Sequence, residues 1–149
     1  MEELAVYQEK KSEEKKYVVF GIKNENFGID ISFVNSIIQM PHITNVPRSP
    51  EYYSGIITLR GEVVPVISLR RKMNLDDEAY TDTSRIIITD IDKDTQVGLI
   101  VDEVKEVLSI PDEEIMEPSP FLKKDESLIS GVGKRDDELI SVFNLEMLV

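Results

Sequence analysis

The side chains that most often carry out chemistry in proteins are sparse in this chain. Cysteine is absent and His42 is the single histidine. A thiolate nucleophile and a thiolate metal site are therefore excluded, and a Ser-His-Asp triad or a zinc site would need more partners than this histidine offers. We interpret His42, which follows Pro41, as a surface or loop residue.

Carboxylates are abundant, so a hydrolase that uses a pair of acids stays open as an alternative. A small-ligand-binding β-barrel protein is a second alternative. The acidic runs at 76–78, 112–114 and 136–138 fall in predicted loops, where such runs are usually solvated. Asp92-Lys-Asp94 resembles the opening of a calcium loop but lacks the glycine and the distal glutamate that such a loop requires. We predict neither a metal nor a cofactor.

Two further segments contain residues that can bind phosphate. Gly131-Val-Gly-Lys134 lacks the spacing and the final Ser or Thr of a Walker motif, and we predict a turn there. Arg60 and the run Arg70-Arg-Lys72 are the only dense basic candidates in the folded region, and we predict that the run is a solvated strand end. With 29 acidic and 17 basic residues, a formal charge of -12 makes nucleic acid and anionic lipid poor partners.

The composition is that of a globular protein, since 41% of the residues are hydrophobic. The N-terminus has no apolar region typical of a signal peptide, and no apolar run approaches membrane-spanning length. The absence of cysteine favours a reducing compartment. We therefore expect a cytoplasmic protein that is not inserted into a membrane.

The elements that must position these residues come in two similar sets. Ser54-Gly-Ile56 recurs as Ser130-Gly-Val132, and the mostly apolar run 62–69 recurs as 138–145 at the same offset. Glycine at the same place in both copies indicates a special backbone demand rather than generic burial. We infer an internal duplication.

The segments upstream support the duplication. Residues 96–108 align with 26–38 without a gap, and Pro111 then matches Pro41. The offset differs between the upstream and downstream blocks, which places an insertion around 119–126. We predict a loose, charged N-terminal segment (1–16) and a domain (17–149) made of two similar barrel halves at approximately 17–75 and 85–149.

Hairpins dominate the predicted elements. The best-defined one spans Gly55–Arg70, with Arg60-Gly61 at its turn. Pro65 in its second strand indicates an edge or a bulge, because proline cannot donate to a ladder. The other predicted strands are 17–22, 27–29, 85–91, 96–101 and 139–145.

Two segments have apolar residues at helical spacing and predict a short helix or helical turn. The first follows Asp30, a plausible N-cap, and contains Ile31, Val34, Ile37 and Ile38; the second contains Val104, Val107 and Leu108. Many short strands with little helix indicate two small, abutting β-barrels.

Several of these motifs also occur, in this order and spacing, in the CheW family of chemotaxis coupling proteins. They are Phe27-Gly-Ile-Asp-Ile31, the hairpin Gly55–Arg70, Val97–Val104, Gly131-Val-Gly133 and the closing segment 139–148. The chain resembles this family over everything after Lys16. The resemblance implies a mostly β fold, in which two small SH3-like five-stranded barrels with short helices pack together and leave a groove. It also implies a protein without catalytic activity or cofactor.

The resemblance further implies an adaptor with two partners. One is the C-terminal regulatory domain of the histidine kinase CheA, and the other is the signalling tip of methyl-accepting transmembrane chemoreceptors, held in the groove. Such an adaptor supports receptor control of the kinase and associates with membrane arrays through protein contacts. Expected receptor contacts are Val34, Ser36, Ile37, Ile38, Arg60, Leu99 and Val101. Expected kinase contacts are Gly55, Gly61, Val104 and Val107.

Arg60 is the distinctive residue of the first half. The repeat aligns Arg60-Gly61 with Asp136-Asp137, so a cationic turn stands where the second half has an acidic one. Many relatives have a glutamate at the position of Ser36, able to pair with this arginine. Arg60 is therefore expected either to pair with another acid, such as Glu62, or to be less constrained here.

Overall fold

The computed structural model describes residues 14–76, 79–117 and 128–148 of the chain. These residues form short β-strands joined by tight turns, together with one helical turn, α1 (Leu69–Lys72), and 3-10 turns at Ile31–Phe33, Asp112–Glu114 and Leu145–Leu148. The strands are β1 (Glu14–Ile22), β2 (Glu25–Asp30), β3 (Val34–Gln39), β4 (Tyr53–Leu59), β5 (Glu62–Ser68), β6 (Arg85–Asp90), β7 (Gln96–Val101), β8 (Glu103–Pro111), β9 (Ile115–Met116), β10 (Ile129–Arg135) and β11 (Glu138–Phe143).

The strands form two sheets. One has six strands in the order β8-β1-β2-β11-β10-β9, and the other has five in the order β3-β6-β7-β5-β4. The predicted mostly β fold with short helices is confirmed. When β9 is left out, each strand of one sheet has its repeat equivalent at the same place in the other sheet. For example, β1 corresponds to β6, and β2 corresponds to β7.

The compact units do not follow the predicted sequence halves. One unit, here called the terminal unit, comprises among the described residues 14–19, 26–31, 106–117 and 128–148. The other, the central unit, comprises 20–25, 32–76 and 79–105. The expected barrel halves at 17–75 and 85–149 therefore need correction. Each sheet contains strands from both copies of the repeat, because the first hairpin of each copy pairs with the second hairpin of the other.

The repeat is visible in the register of the parallel strand pairs. Gly28 of β2 lies opposite Val142 of β11, and Gly98 of β7 lies opposite Val66 of β5. A Cβ atom on Gly98 would approach Cγ2 of Ile86 to 2.8 Å, so this position is too crowded for a side chain. The matched glycines thus mark one structural position in each sheet.

Each unit has its own apolar core between its strands. Both faces of β6 and β7 are buried, which explains their nearly continuous apolar sequences. The core of the central unit contains Ile57, Val64, Val66, Ile86, Ile88 and Ile100, and that of the terminal unit contains Tyr17, Val19, Ile110, Ile140 and Val142.

The predicted helix after Asp30 is wrong. Only Ile31–Phe33 form a 3-10 turn, and the next six residues are strand β3, which pairs antiparallel with β6. The burial along β3 alternates with a period of two residues, although its isoleucines also fit helical spacing. β-branched residues favour the strand, since a pleated sheet accommodates them well.

Three other local predictions also need correction. Val104, Val107 and Leu108 belong to strand β8 rather than to a helical turn. Gly131-Val-Gly-Lys134 lies within strand β10 rather than in a turn. Strand β1 already begins at Glu14, inside the segment predicted to be loose; residues 1–13 and the predicted insertion at 119–126 lie outside the described residues.

Candidate protein-binding surfaces

Strand β3 carries four of the residues expected to contact a receptor, and they differ in exposure. Its side chains alternate between two environments. Val34, Ser36 and Ile38 are half-buried, and Ile38 packs against the core of the central unit. Ile37 lies on the other side and is 41% exposed. Ile37 is therefore the residue of this strand that offers an apolar group most directly to a partner.

The edge strand β3 also lacks charge. Natural edge strands are commonly protected by charged side chains, which oppose pairing with another chain. Strand β8, its equivalent in the six-stranded sheet, has Lys105 and Glu106 where β3 has Asn35 and Ser36. Of the two related edges, the one on β3 is thus the better suited to a protein contact.

The tip of the β4–β5 hairpin presents Arg60. Leu59 pairs with Glu62, so the turn contains two residues, Arg60 and Gly61, with φ angles of 52° and 82°. Positive φ at both positions is typical of the hairpin turn that matches strand twist. Arg60 is exposed, and within the described parts of the chain it makes no salt bridge, with Glu62 or with any other acid.

Gly55 has a structural role, so its assignment as a kinase contact is corrected. It is buried, and its φ angle is 140°. A Cβ atom here would lie 2.2 Å from the backbone oxygen of Thr44. Thr44 and Ile56 exchange two backbone hydrogen bonds of 2.9 Å across this point, which hold the two segments together. Gly61, in contrast, is exposed and has open space around it.

The second half contributes fewer accessible candidates than expected. Leu99 and Val101 are 0% and 1% exposed, so they are core residues and cannot present a surface to a receptor. Their strand β7 is buried on both faces, and it lies in the middle of its sheet between β6 and β5. On β8, Val104 is half-buried and Val107 is 51% exposed, so both remain candidates for the kinase contact.

A partly buried ion pair, which was not predicted from the sequence, connects several elements at one end of the central unit. Nε of Arg70 donates to Oδ1 of Asp102 at 2.8 Å, and Nη2 donates to Oδ2 at 2.6 Å. The backbone N–H of Lys23 also donates to Oδ2 of Asp102, at 2.9 Å. The side chains of Arg70 and Asp102 are 14% and 34% exposed. This pair joins α1, the end of β7 and the β1–β2 turn.

Asp102 has an electrostatic environment that favours its charged form. The hydrogen bonds from Arg70 hold the pKa of the Asp102 carboxyl below its usual value. The backbone N–H of Lys23 and the positive charge of Arg70 lower this pKa further, and partial burial opposes them.

The prediction that Arg70-Arg-Lys72 is a solvated strand end is therefore wrong. Nη1 of Arg71 donates to the backbone oxygen of Glu51 at 2.9 Å, and Nζ of Lys72 lies 3.8 Å from the ring centroid of Tyr52. The positions of the two residues could have predicted the Arg70–Asp102 pair. Each partner of the Arg70–Asp102 pair stands two residues after the last rung of the parallel ladder between β5 and β7, so the two side chains leave neighbouring strand ends together.

Among the described residues, the carboxylates do not form an arrangement suited to acid catalysis. A catalytic general acid needs a raised pKa, whereas the carboxyl pKa values that shift clearly in the described residues, those of Asp92 and Asp102, are lowered. The backbone N–H of Asp94 is the main cause at Asp92. Asp112–Glu114 form an exposed 3-10 turn, and Asp136 and Asp137 form the turn of the second hairpin.

Comparison with known proteins decides the family. The family model for the CheW-like domain matches residues 16–149. This chain belongs to the CheW family. A CheW chemotaxis protein of Bacillus subtilis is 34% identical over 87% of this chain and 83% of its own length, and that of Helicobacter pylori is 30% identical over 95% and 86%.

A solved structure agrees with this family assignment. The scaffolding protein TtCheW of Thermoanaerobacter tengcongensis is 38% identical, with a TM-score of 0.81 over 88% of this chain and 84% of that one. The expected family and its fold are thus confirmed, and the protein is a chemotaxis scaffold rather than an enzyme. The hydrolase alternative finds no support in this family. No helix among the described residues is long and apolar enough to cross a bilayer.

Proposed function

We propose that this scaffold couples transmembrane chemoreceptors to the histidine kinase CheA at cytoplasmic signalling arrays. It does so through protein contacts alone, and receptors thereby control the kinase. Membership of the CheW family supports this role. The observation that carries the receptor contact is the uncharged edge of β3 with Ile37 exposed beside it.

The receptor contact combines an apolar anchor with a cation. A helical signalling tip packs through apolar side chains, for which Ile37 is the accessible anchor, with Val34, Ser36 and Ile38 partly accessible beside it. Arg60 adds a guanidinium that is free to bind a carboxylate of the receptor.

The main apolar candidate for the kinase contact lies on a different strand from Ile37. Val107 on the edge strand β8 is the main apolar candidate, because it is as exposed as Ile37 and lies at the equivalent place in the repeat. Val104 supports it, and Gly61 allows close approach to the β4–β5 turn because nothing lies within 4 Å of the position its Cβ would occupy.

A pair of matched substitutions tests this division. Ile37→Lys and Val107→Lys each place a charge at equivalent, exposed positions of the two edge strands. Binding of the full chain to a receptor-tip fragment and to the CheA regulatory domain is measured by calorimetry. We expect Ile37→Lys to weaken receptor binding about tenfold or more and to spare the kinase, and Val107→Lys to do the reverse.

Two outcomes contradict the proposal. If the unsubstituted chain binds neither partner at micromolar concentration, the coupling function is wrong. If both substitutions weaken both partners equally while the thermal unfolding midpoint is unchanged, the two contacts do not occupy separate surfaces.

A further inference from the structure

The parallel ladders of the two units have three rungs each, but they start at different points of the repeat. In the terminal unit, the pairing of β11 with β2 begins at Ile140 opposite Asn26. In the central unit, the pairing of β5 with β7 begins only at Val66 opposite Gly98, which is two rungs later in the repeat. The residue just before Val66 is Pro65, which has no N–H to donate and is suited to the start of a ladder.

Beside the start of the β5–β7 ladder, the central unit has a cleft of about 360 Å³. Glu62, Val63 and Pro65 of β5 form one wall, and the β6–β7 turn forms the other. Val63 is 64% exposed, so the cleft offers an aliphatic surface to solvent.

The equivalent place in the terminal unit is closed by a side-chain hydrogen bond. Nδ2 of Asn26 donates to Oε2 of Glu138 at 3.0 Å. The repeat aligns these residues with Gln96 and Glu62, but Nε2 of Gln96 donates to Oδ1 of Asp90 instead, at 2.9 Å. Within the described residues, the bond that would join the cleft walls through Glu62 is therefore not made.

The cleft favours a cationic occupant with an apolar stem. Glu62 and Asp94 stand on opposite walls and are exposed, and Asp90 adds a third carboxylate against the single ammonium group of Lys93. Basic side chains lay their methylene stems on apolar surface and keep their charged heads among acids or water. Val63 and Pro65 supply that apolar surface.

We propose that this cleft is a docking site for a basic side chain, arginine or lysine, that a partner protein presents next to an aliphatic residue. The head of the basic side chain lies between Glu62 and Asp94. Its stem and the neighbouring aliphatic residue cover Val63.

A dipeptide titration tests the site. The probe is N-acetyl-leucyl-arginine amide, added to the full ¹⁵N-labelled chain while backbone amide resonances are followed by NMR. The neutral control is the same dipeptide with citrulline in place of arginine. We expect concentration-dependent shifts at the amides of Val63, Thr95 and Gln96, with binding about threefold weaker for citrulline. Shifts spread evenly over the acidic surface, or equal binding of both dipeptides, would overturn the proposal.

The repeat offers the matched variants. Pro65→Ser introduces the residue found at position 141 of the closed ladder, and we expect it to abolish the shifts at the cleft. Glu62→Gln, at an exposed site, is expected to weaken binding about threefold without altering the fold, whereas Glu138→Gln in the terminal unit should leave binding unchanged. Retained binding in Pro65→Ser, or an unchanged affinity in Glu62→Gln, contradicts the site.

Discussion

The two hairpins β4–β5 and β10–β11 occupy equivalent positions in the repeat, and they differ mainly at their surfaces. Each turns at a residue with positive φ, 52° at Arg60 and 56° at Asp136. Each also has an irregular register just before its glycine, Gly55 or Gly131. The backbone requirements of a tight hairpin limit φ angles, and they leave the charge at the tip unspecified. The same turn therefore carries a cation in one unit and an anion in the other.

The difference between the hairpins extends to their neighbours. Pro65 of β5 stands where β11 has Ser141, and the ladder beside it starts two rungs later in the repeat. The uncharged edge strand β3 also belongs to the central unit. The two copies of the repeat thus have similar backbones. The features suited to binding a partner lie in the central unit.

The largest expected effect is on the free energy of unfolding, and it should differ between the two hairpin glycines, Gly55 and Gly131. Gly55→Ala should lower the free energy of unfolding by about 3 kcal/mol or more, because φ is positive and the new Cβ meets a backbone oxygen. Gly131→Ala should cost less, about 1–3 kcal/mol, because φ is not positive at Gly131 and the new Cβ would meet the Cγ2 methyl of Ile115 at 2.5 Å. Urea denaturation of both variants measures the difference, and equal costs would mean that the two glycines are under the same constraint.

A smaller effect is expected at the Arg70–Asp102 pair. Asp102→Ala should lower the free energy of unfolding by about 2 kcal/mol, because it leaves a mostly buried guanidinium without its carboxylate. The matched control is Glu146→Ala, since Glu146 is the exposed repeat equivalent of Arg70, and its cost should stay below about 0.5 kcal/mol. A similar loss in both variants, measured by urea denaturation, would show that the pair has no special role.

The contribution of the pair should also depend on pH. Because the folded-state pKa of Asp102 is lowered, its charge stabilises the fold above the ordinary aspartate pKa of about 4. This contribution falls as the pH drops through the folded-state pKa. We expect the stability difference between the parent chain and Asp102→Asn to be constant between about pH 7 and pH 5 and to shrink toward pH 3. Unfolding curves at these three pH values check the trend, which a constant difference down to pH 3 would contradict.

The smallest expected effect on stability is at the hairpin tips. Arg60→Ala and Asp136→Ala should each change the free energy of unfolding by less than about 1 kcal/mol, because both side chains are exposed at turns. Arg60→Ala alone should weaken binding to a receptor-tip fragment, by about fivefold, and should weaken CheA binding less. If Arg60→Ala instead unfolds the chain in thermal melts, the arginine is structural.

The sequence predicted the hairpins well and the intervening segments poorly. Arg60-Gly61 and the alternating residues around it specify a turn and its strands locally, and the structure confirms them. The spacing of Val34, Ile37 and Ile38 fits both a helix and a strand, and only pairing with β6 decides between them. Burial of Leu99 and Val101 likewise depends on strands that are distant in the sequence.

The sequence by itself determined the duplication, its glycines and its turns, because these depend on φ angles and on the space beside single residues. Only the tertiary structure decided which strands share a sheet, so the compact units are not the sequence halves. It also decided that Arg70 binds Asp102 and that the β5–β7 ladder starts only after Pro65, because both involve strands brought together over long sequence separations. Parallel pairing between two hairpins joins strands that are far apart in the sequence, and it positions the candidate binding surfaces of the scaffold.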